Sequence, residues 1–198
     1  KTWSIAAFGE DVAAVIRALP DKRVILIGHS MGGPVALEAA RRVPERVIGV
    51  VGVDTFNDLG GREFDPAVFE KFIGELRKDS AGTTRNFVST RFFPKDADPA
   101  LKKRIADDMA SSPPEVAIGA MEAIFAYDIK PAAAALKAPL VAINADLFPM
   151  MNEAAARQVN PSFRLVMMKG VGHFLHMEAA DRFNAALRAE VDRIAALG

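Results

Sequence analysis

Residues 24–37 read Val24-Ile25-Leu26-Ile27-Gly28-His29-Ser30-Met31-Gly32-Gly33-Pro34-Val35-Ala36-Leu37. Four apolar residues run into a glycine, a serine stands midway between two glycines, and small residues follow. Residues 23–27 predict a short apolar strand of the kind buried on both faces of a parallel sheet. Residues 34–43 predict a helix, with Pro34 allowed in its first turn and Pro44 closing it. Between them, Gly28-His29-Ser30-Met31-Gly32 fits G-x-S-x-G. On such a turn the serine is strained and its Oγ stands above the sheet edge, which requires small residues two before and two after it. The Met31 N–H would then point at a developing oxyanion, and the helix N-terminus would add partial positive charge.

Two other readings compete. A dinucleotide-binding turn would need glycines at Gly28, position 30 and Gly33, with Asp54 at the end of the next strand holding a ribose. It fails at position 30, where a serine side chain blocks the approach of a pyrophosphate. The third reading is a glycine-rich turn with no chemistry.

Outward from this turn, Ser4 can cap a helix with an apolar face of Ile5, Phe8, Val12, Val15, Ile16 and Leu19, ended by Pro20. Residues 47–53 form a second continuously apolar strand, so strand, helix and strand make a right-handed crossover. From 56 to 135 the pattern is helical, broken by Gly60-Gly61, Gly82, Pro94, Pro99 and Pro113-Pro114. Strands return at 139–144 and 163–168 around a helix at 152–159. A closing helix over 177–197 carries Phe183, Leu187, Val191 and Ile194 on one face. The expected fold is α/β, a mostly parallel sheet with one large helical insertion.

A serine nucleophile needs a base, and the base needs an acid to orient it. The chain has three histidines. His29 lies inside the turn, where a packed, hydrogen-bonded role is expected. His173 follows the last strand on a loop that can reach the C-terminal edge of the sheet. His176 opens the closing helix, with a structural or surface role. Two acids, Asp146 and Asp54, lie just beyond strand ends, and either could orient His173. The order Ser30, Asp146, His173 favours Asp146, leaving Asp54 to hold the neighbouring loop.

Together GHSMGG, VAINADLFP and GVGHFLHMEAADRF make the chain resemble the α/β-hydrolase superfamily over essentially its whole length. That resemblance implies Ser30 as nucleophile, Asp146 as acid, His173 as base, and the Met31 N–H in the oxyanion hole. It implies a hydrolase core over 1–55 and 136–198 with a helical cap over 56–135. The expected activity is a serine hydrolase of carboxylic esters or related acyl substrates. The alternatives are a hydrolase-fold binding protein of negligible turnover, a cofactor-free haloperoxidase and a C–C hydrolase.

Of Phe64, Phe69, Phe72, Phe87, Phe92, Phe93, Met109, Met121 and Phe125, most are expected to pack within the cap and a minority to line a pocket above Ser30. Lys102-Lys103-Arg104 reads as a solvated helix face. No basic cluster converges on the site, so the expected substrate is a small, neutral, largely apolar molecule.

The 198 residues suit one compact domain, and 25 acidic against 25 basic side chains give no pull toward nucleic acid or an anionic membrane. No apolar run is long enough to span a bilayer. Without cysteine, disulfides, thiolate metal sites and thiol nucleophiles are excluded. No metal or cofactor is expected, and the compartment stays open.

In the resembling family several strands precede the helix that begins at Ser4, and one pairs with the strand before the serine. A loop after one of them supplies the second oxyanion N–H. The sequence therefore reads as the C-terminal part of a longer hydrolase. The expected strand at 23–27 would then expose an unpaired edge, to be covered by an N-terminal segment or a second copy. Losing one oxyanion donor costs roughly a hundred- to a thousand-fold in kcat, so the chain alone is expected to be a poor enzyme.

Overall fold

The structure is a computed structural model that describes residues 3–21, 23–61, 65–148 and 151–197. Phe64 and Pro149, named above, lie outside the described residues. Ser4 starts α1 (Ile5–Ala18) by accepting the Ala7 N–H at 3.1 Å, satisfying one donor that a helix start leaves bare. The buried stripe of α1 is Ile5, Gly9, Ala13 and Ile16. Val15 and Leu19 are instead 60% and 41% exposed. At 100° per residue Val15 falls well off that stripe. The close contact with the next helix is marked by small residues: a Cβ on Gly9 would lie 2.7 Å from Glu38 Cγ.

Four parallel strands follow in spatial order, β1 (Val24–His29), β2 (Val47–Val53), β3 (Leu140–Ala145) and β4 (Arg164–Met168). Helix α2 (Gly32–Arg42) returns the chain from β1 to β2. Between β2 and β3 come a 3-10 turn (Asn57–Gly60) and helices α3 (Pro66–Lys78), α4 (Ser80–Arg91), α5 (Pro99–Ala110), α6 (Pro114–Phe125) and α7 (Lys130–Ala135). Helices α3, α4 and α5 are each started by an aspartate, Asp65, Asp79 and Asp98, whose carboxylate accepts a backbone N–H in the first turn. Helix α8 (Glu153–Val159) joins β3 to β4. The closing helix is in two pieces, α9 (Leu175–Glu178) and α10 (Ala180–Leu197), interrupted at Ala179 (φ −142°, ψ 59°).

Both faces of the sheet are covered. Leu37 of α2, Ala133 of α7 and Ile16 of α1 pack with Val50 and Leu140 on one side. Leu175, Phe183 and Ile194 pack with Val51, Val141 and Ile143 on the other. β2 and β3 are accordingly buried nearly throughout. Among the described residues β1 has one partner strand, β2, and so lies at an edge of the sheet; its expected burial on both faces is not met at Ile27, which is 51% exposed. Parallel pairing brings the C-terminal ends of all four strands to one edge, where the chemistry-bearing residues meet.

Candidate active site

Ser30 follows β1 directly. Its N–H donates to Val53 O at 3.0 Å, prolonging the ladder, while its φ of 52° turns the chain sharply into α2. A non-glycine residue in this left-handed region is strained, and such strain persists only where the surroundings impose it. A Cβ on Gly28 would lie 2.1 Å from Gly32 O, and one on Gly33 would lie 2.5 Å from Thr55 Cγ2. A Cβ on Gly32 would meet nothing within 4 Å. The turn therefore needs its glycines at Gly28 and Gly33. The expected steric demand at Gly32 is not found, because that position opens onto the cavity described below.

β2 ends at Val53, and Asp54 (φ 46°) bends away with its carboxylate buried. Its Oδ1 accepts the Ala145 N–H at 2.9 Å, and its Oδ2 lies 2.5 Å from His173 Nδ1. Behind it, Asn144 bonds Thr55 in both directions, accepting its N–H at 3.2 Å and donating to its carbonyl at 3.0 Å. This buried carboxamide locks the ends of β2 and β3 together. Its signal in the sequence is a single polar residue within an otherwise apolar strand.

Asp146, the acid favoured by chain order, is not brought to His173. It is exposed, and its Oδ1 accepts the Gly170 N–H at 2.8 Å, holding the turn after β4. The difference lies in the backbone and not in strand order. Asp54 turns at a positive φ and its carboxylate meets the imidazole, whereas the Asp146 carboxylate, although β3 adjoins β4, is directed to the Gly170 N–H. The ribose-binding role for Asp54 is likewise not available, since both its oxygens are engaged within the chain.

The loop carrying His173 is held on every side. The His173 N–H donates to Phe92 O at 2.8 Å, and the His173 carbonyl accepts His29 Nε2–H at 2.8 Å. Glu178 accepts the N–H groups of Gly172 and Phe174 at 2.9 and 3.2 Å. Burial pushes the Glu178 carboxyl up, against the pull of those two donors. Burial also pushes His29 down to about 4, with the nearby His173 adding to the effect. His176 is lowered for the same two reasons. It stacks edge-on to His29, 4.7 Å between ring centres, and its buried Nδ1 has no partner among the described residues.

Ser30, Met31, Gly32 and His173 form the floor of a cavity of about 370 Å³. Its walls come from α3 to α6 and include Phe72, Leu76, Phe87, Phe92, Met109, Met121 and Ile124, with Thr84 and Ser112 as polar points. No Asp, Glu, Lys or Arg is among the described lining residues. Five of the aromatic and methionine side chains expected between β2 and β3 line it, Phe72, Phe87, Phe92, Met109 and Met121, against the expected minority. Phe69 and Phe125 stack on each other at 3.7 Å instead. Lys103 of the basic run pairs with Asp107 on the surface of α5.

The Ser30 Oγ makes no hydrogen bond among the described residues, and the Met31 N–H is not donated within the described chain. A strained serine and a buried, carboxylate-paired histidine thus face one apolar cavity. The sequence matches the family described as alpha/beta hydrolase fold over residues 1–180.

The chain belongs to the α/β-hydrolase fold family.

Among similar proteins is a pimeloyl-[acyl-carrier protein] methyl ester esterase of Neisseria meningitidis serogroup B (strain H44/76). It is 27% identical over 202 residues, covering 97% of this chain and 76% of the relative. A thermophilic esterase from Thermogutta terrifontis superposes with a TM-score of 0.82 at 22% identity, over 98% of this chain and 74% of that one. The enol-lactonase from Burkholderia xenovorans LB400 gives a TM-score of 0.82 at 23% identity, over 96% and 74%. This α/β-hydrolase also contains no helix, among its described residues, long and apolar enough to cross a membrane.

Proposed function

We propose that this α/β-hydrolase cleaves a small, neutral, largely apolar carboxylic ester through Ser30, His173 and Asp54. The observation that carries the reading is the His173 imidazole, set between the buried Asp54 carboxylate and the cavity that Ser30 enters. Asp54 on Nδ1 would fix the tautomer that leaves Nε2 unprotonated toward the cavity. His173 Nε2 then takes the Ser30 proton as Oγ attacks the ester carbonyl. The resulting oxyanion meets the Met31 N–H at the start of α2. Collapse breaks the C–O bond to the alcohol, which leaves with the proton from His173. A water molecule, deprotonated by His173, attacks the acyl-Ser30 ester; the acyl–Oγ bond breaks, Ser30 Oγ takes that proton back from His173, and the carboxylic acid is released.

The missing Ser30–His173 hydrogen bond is compatible with this, since such contacts tighten in the Michaelis complex. The helices between β2 and β3 act in this reading as the cap, and their uncharged lining favours neutral acyl groups. The esterase and lactonase names of the relatives above support ester chemistry. Asp146 serves to hold the Gly170 turn. The test combines a fluorophosphonate probe with p-nitrophenyl esters of increasing chain length. Labelling at Ser30 and hydrolysis abolished in Ser30→Ala are expected. Tight binding of a small apolar ligand without turnover would favour a binding protein instead.

A further inference from the structure

We infer that His29, the residue before the nucleophile, is a positioning residue that sets the separation of Ser30 and His173. The inference rests on the mechanism proposed above and adds to it a residue outside the triad. Ser30 and His173 belong to segments 143 positions apart, carried by opposite edges of the sheet, β1 and β4. Sheet twist and breathing would change their separation unless something ties the two ends directly. One side-chain hydrogen bond does so. His29 Nε2 lies 2.8 Å from the His173 carbonyl oxygen. A carbonyl only accepts, so Nε2 must carry the proton. The donor thus hangs from the residue bonded to Ser30, and the acceptor belongs to the base itself.

The surroundings favour a strut over simple packing. The His29 ring stands 4.6 Å from that of His173 and 4.7 Å from that of His176. Beyond these rings, Phe174 also packs on it, at 5.3 Å. The charged groups near this cluster are the carboxylates of Asp54, bonded to His173, and Glu178, bonded to Gly172 and Phe174. The His173 N–H is separately tied to Phe92 O, so the peptide groups on both sides of the base are fixed. A displacement of about 1 Å in such a site can cost roughly a hundred-fold in rate.

The two roles make opposite demands on substitution. Packing alone wants a ring of similar size, which His29→Phe keeps while removing the donor. The strut wants an N–H at the reach of Nε2, which His29→Gln keeps while removing the ring. Kinetics per folded molecule, with thermal unfolding followed in parallel, separate them. The expected result is that His29→Gln stays within about tenfold of the parent in kcat, while His29→Phe loses about a hundred-fold in kcat with KM little changed. Activity of His29→Phe equal to or above that of His29→Gln would overturn the inference. A measurement on the unmodified protein covers the case in which a variant does not fold. Nitrogen-15 NMR of the imidazoles should find His29 as the Nε2–H tautomer, and an Nδ1–H tautomer would overturn the strut. Failure of the parent protein to hydrolyse any ester counts against the esterase mechanism, and leaves the tautomer measurement to decide the strut.

Discussion

Both oxygens of the Asp54 carboxylate are in use: Oδ1 accepts the Ala145 N–H at 2.9 Å and Oδ2 faces His173 Nδ1 at 2.5 Å. Replacing it with Asn puts an amide N–H₂ within reach of Nδ1. That favours an imidazole protonated on Nε2, which cannot take a proton from Ser30. Asp54→Asn should therefore lower kcat by about a thousand- to ten-thousand-fold with little change in KM. Asp146→Asn should stay within about tenfold, because its carboxamide oxygen can still accept the Gly170 N–H and no contact to His173 is involved. Steady-state kinetics on one p-nitrophenyl ester decide between the two acids, and the reverse pattern would return the role to Asp146.

The glycines of the serine turn should separate sharply in stability. Gly28→Ala sets a Cβ 2.1 Å from a backbone oxygen, and Gly33→Ala sets one against Thr55 and Phe56. Each should cost on the order of 1–3 kcal/mol, the usual range for overpacking. Gly32→Ala meets open space at the first residue of α2, where alanine is the better helix former. Thermal denaturation should find its Tm unchanged or raised.

Stability should depend on pH through His29. Its folded pKa, about 4, lies below the ordinary value of 6.5, so between these the unfolded chain binds more protons. Its contribution is complete above pH 6.5 and is lost as the pH falls toward 4. His176 shifts in the same direction. Urea midpoints measured from pH 7.5 to 4.5 should fall less steeply in His29→Gln than in the parent. Parallel curves would show that His29 charges as easily in the folded state as in the unfolded one.

Acyl-chain selectivity should be set by the walls between β2 and β3. Ala117 and Met121 lie on the lining face of α6. Ala117→Trp should reduce kcat/KM for octanoyl esters by tenfold or more while leaving acetyl esters nearly unaffected. Met121→Glu should depress all neutral acyl groups by placing a charge in an otherwise uncharged cavity. Equal effects of Ala117→Trp on short and long esters would mean that the acyl chain lies elsewhere.

The strand-and-helix frame was readable from the chain because its signals are local. A continuous run of apolar residues and glycine between the charged Arg46 and Asp54 marked residues 47–53 to the residue, and G-x-S-x-G marked the strained turn at Ser30. What local pattern could not convey was the third dimension at the sheet edge. Asp54 and Asp146 both follow strand ends, and only the inward bend at φ 46° decides which reaches His173. Chain order pointed to the other one. In α1 the eye is drawn to Val15 and Leu19, yet helix packing there runs through Gly9 and Ala13, whose small size permits the approach. Asn144 acts on the backbone of Thr55, 89 positions away, and no spacing rule announces such a bond.

The bond from the His173 N–H to Phe92 O, with no room for a Cβ on Gly172 against that oxygen, bears on how such enzymes diversify. Phe92 ends α4, so the segment that walls the cavity also supplies one of the anchors of the base. Exchanging residues 65–135 wholesale for the corresponding stretch of a relative would alter selectivity, but it would also remove that anchor unless a carbonyl returned to the same point. New substrate ranges should therefore arise more readily by point changes along α3, α5 and α6, while the last turn of α4 stays fixed as a graft boundary.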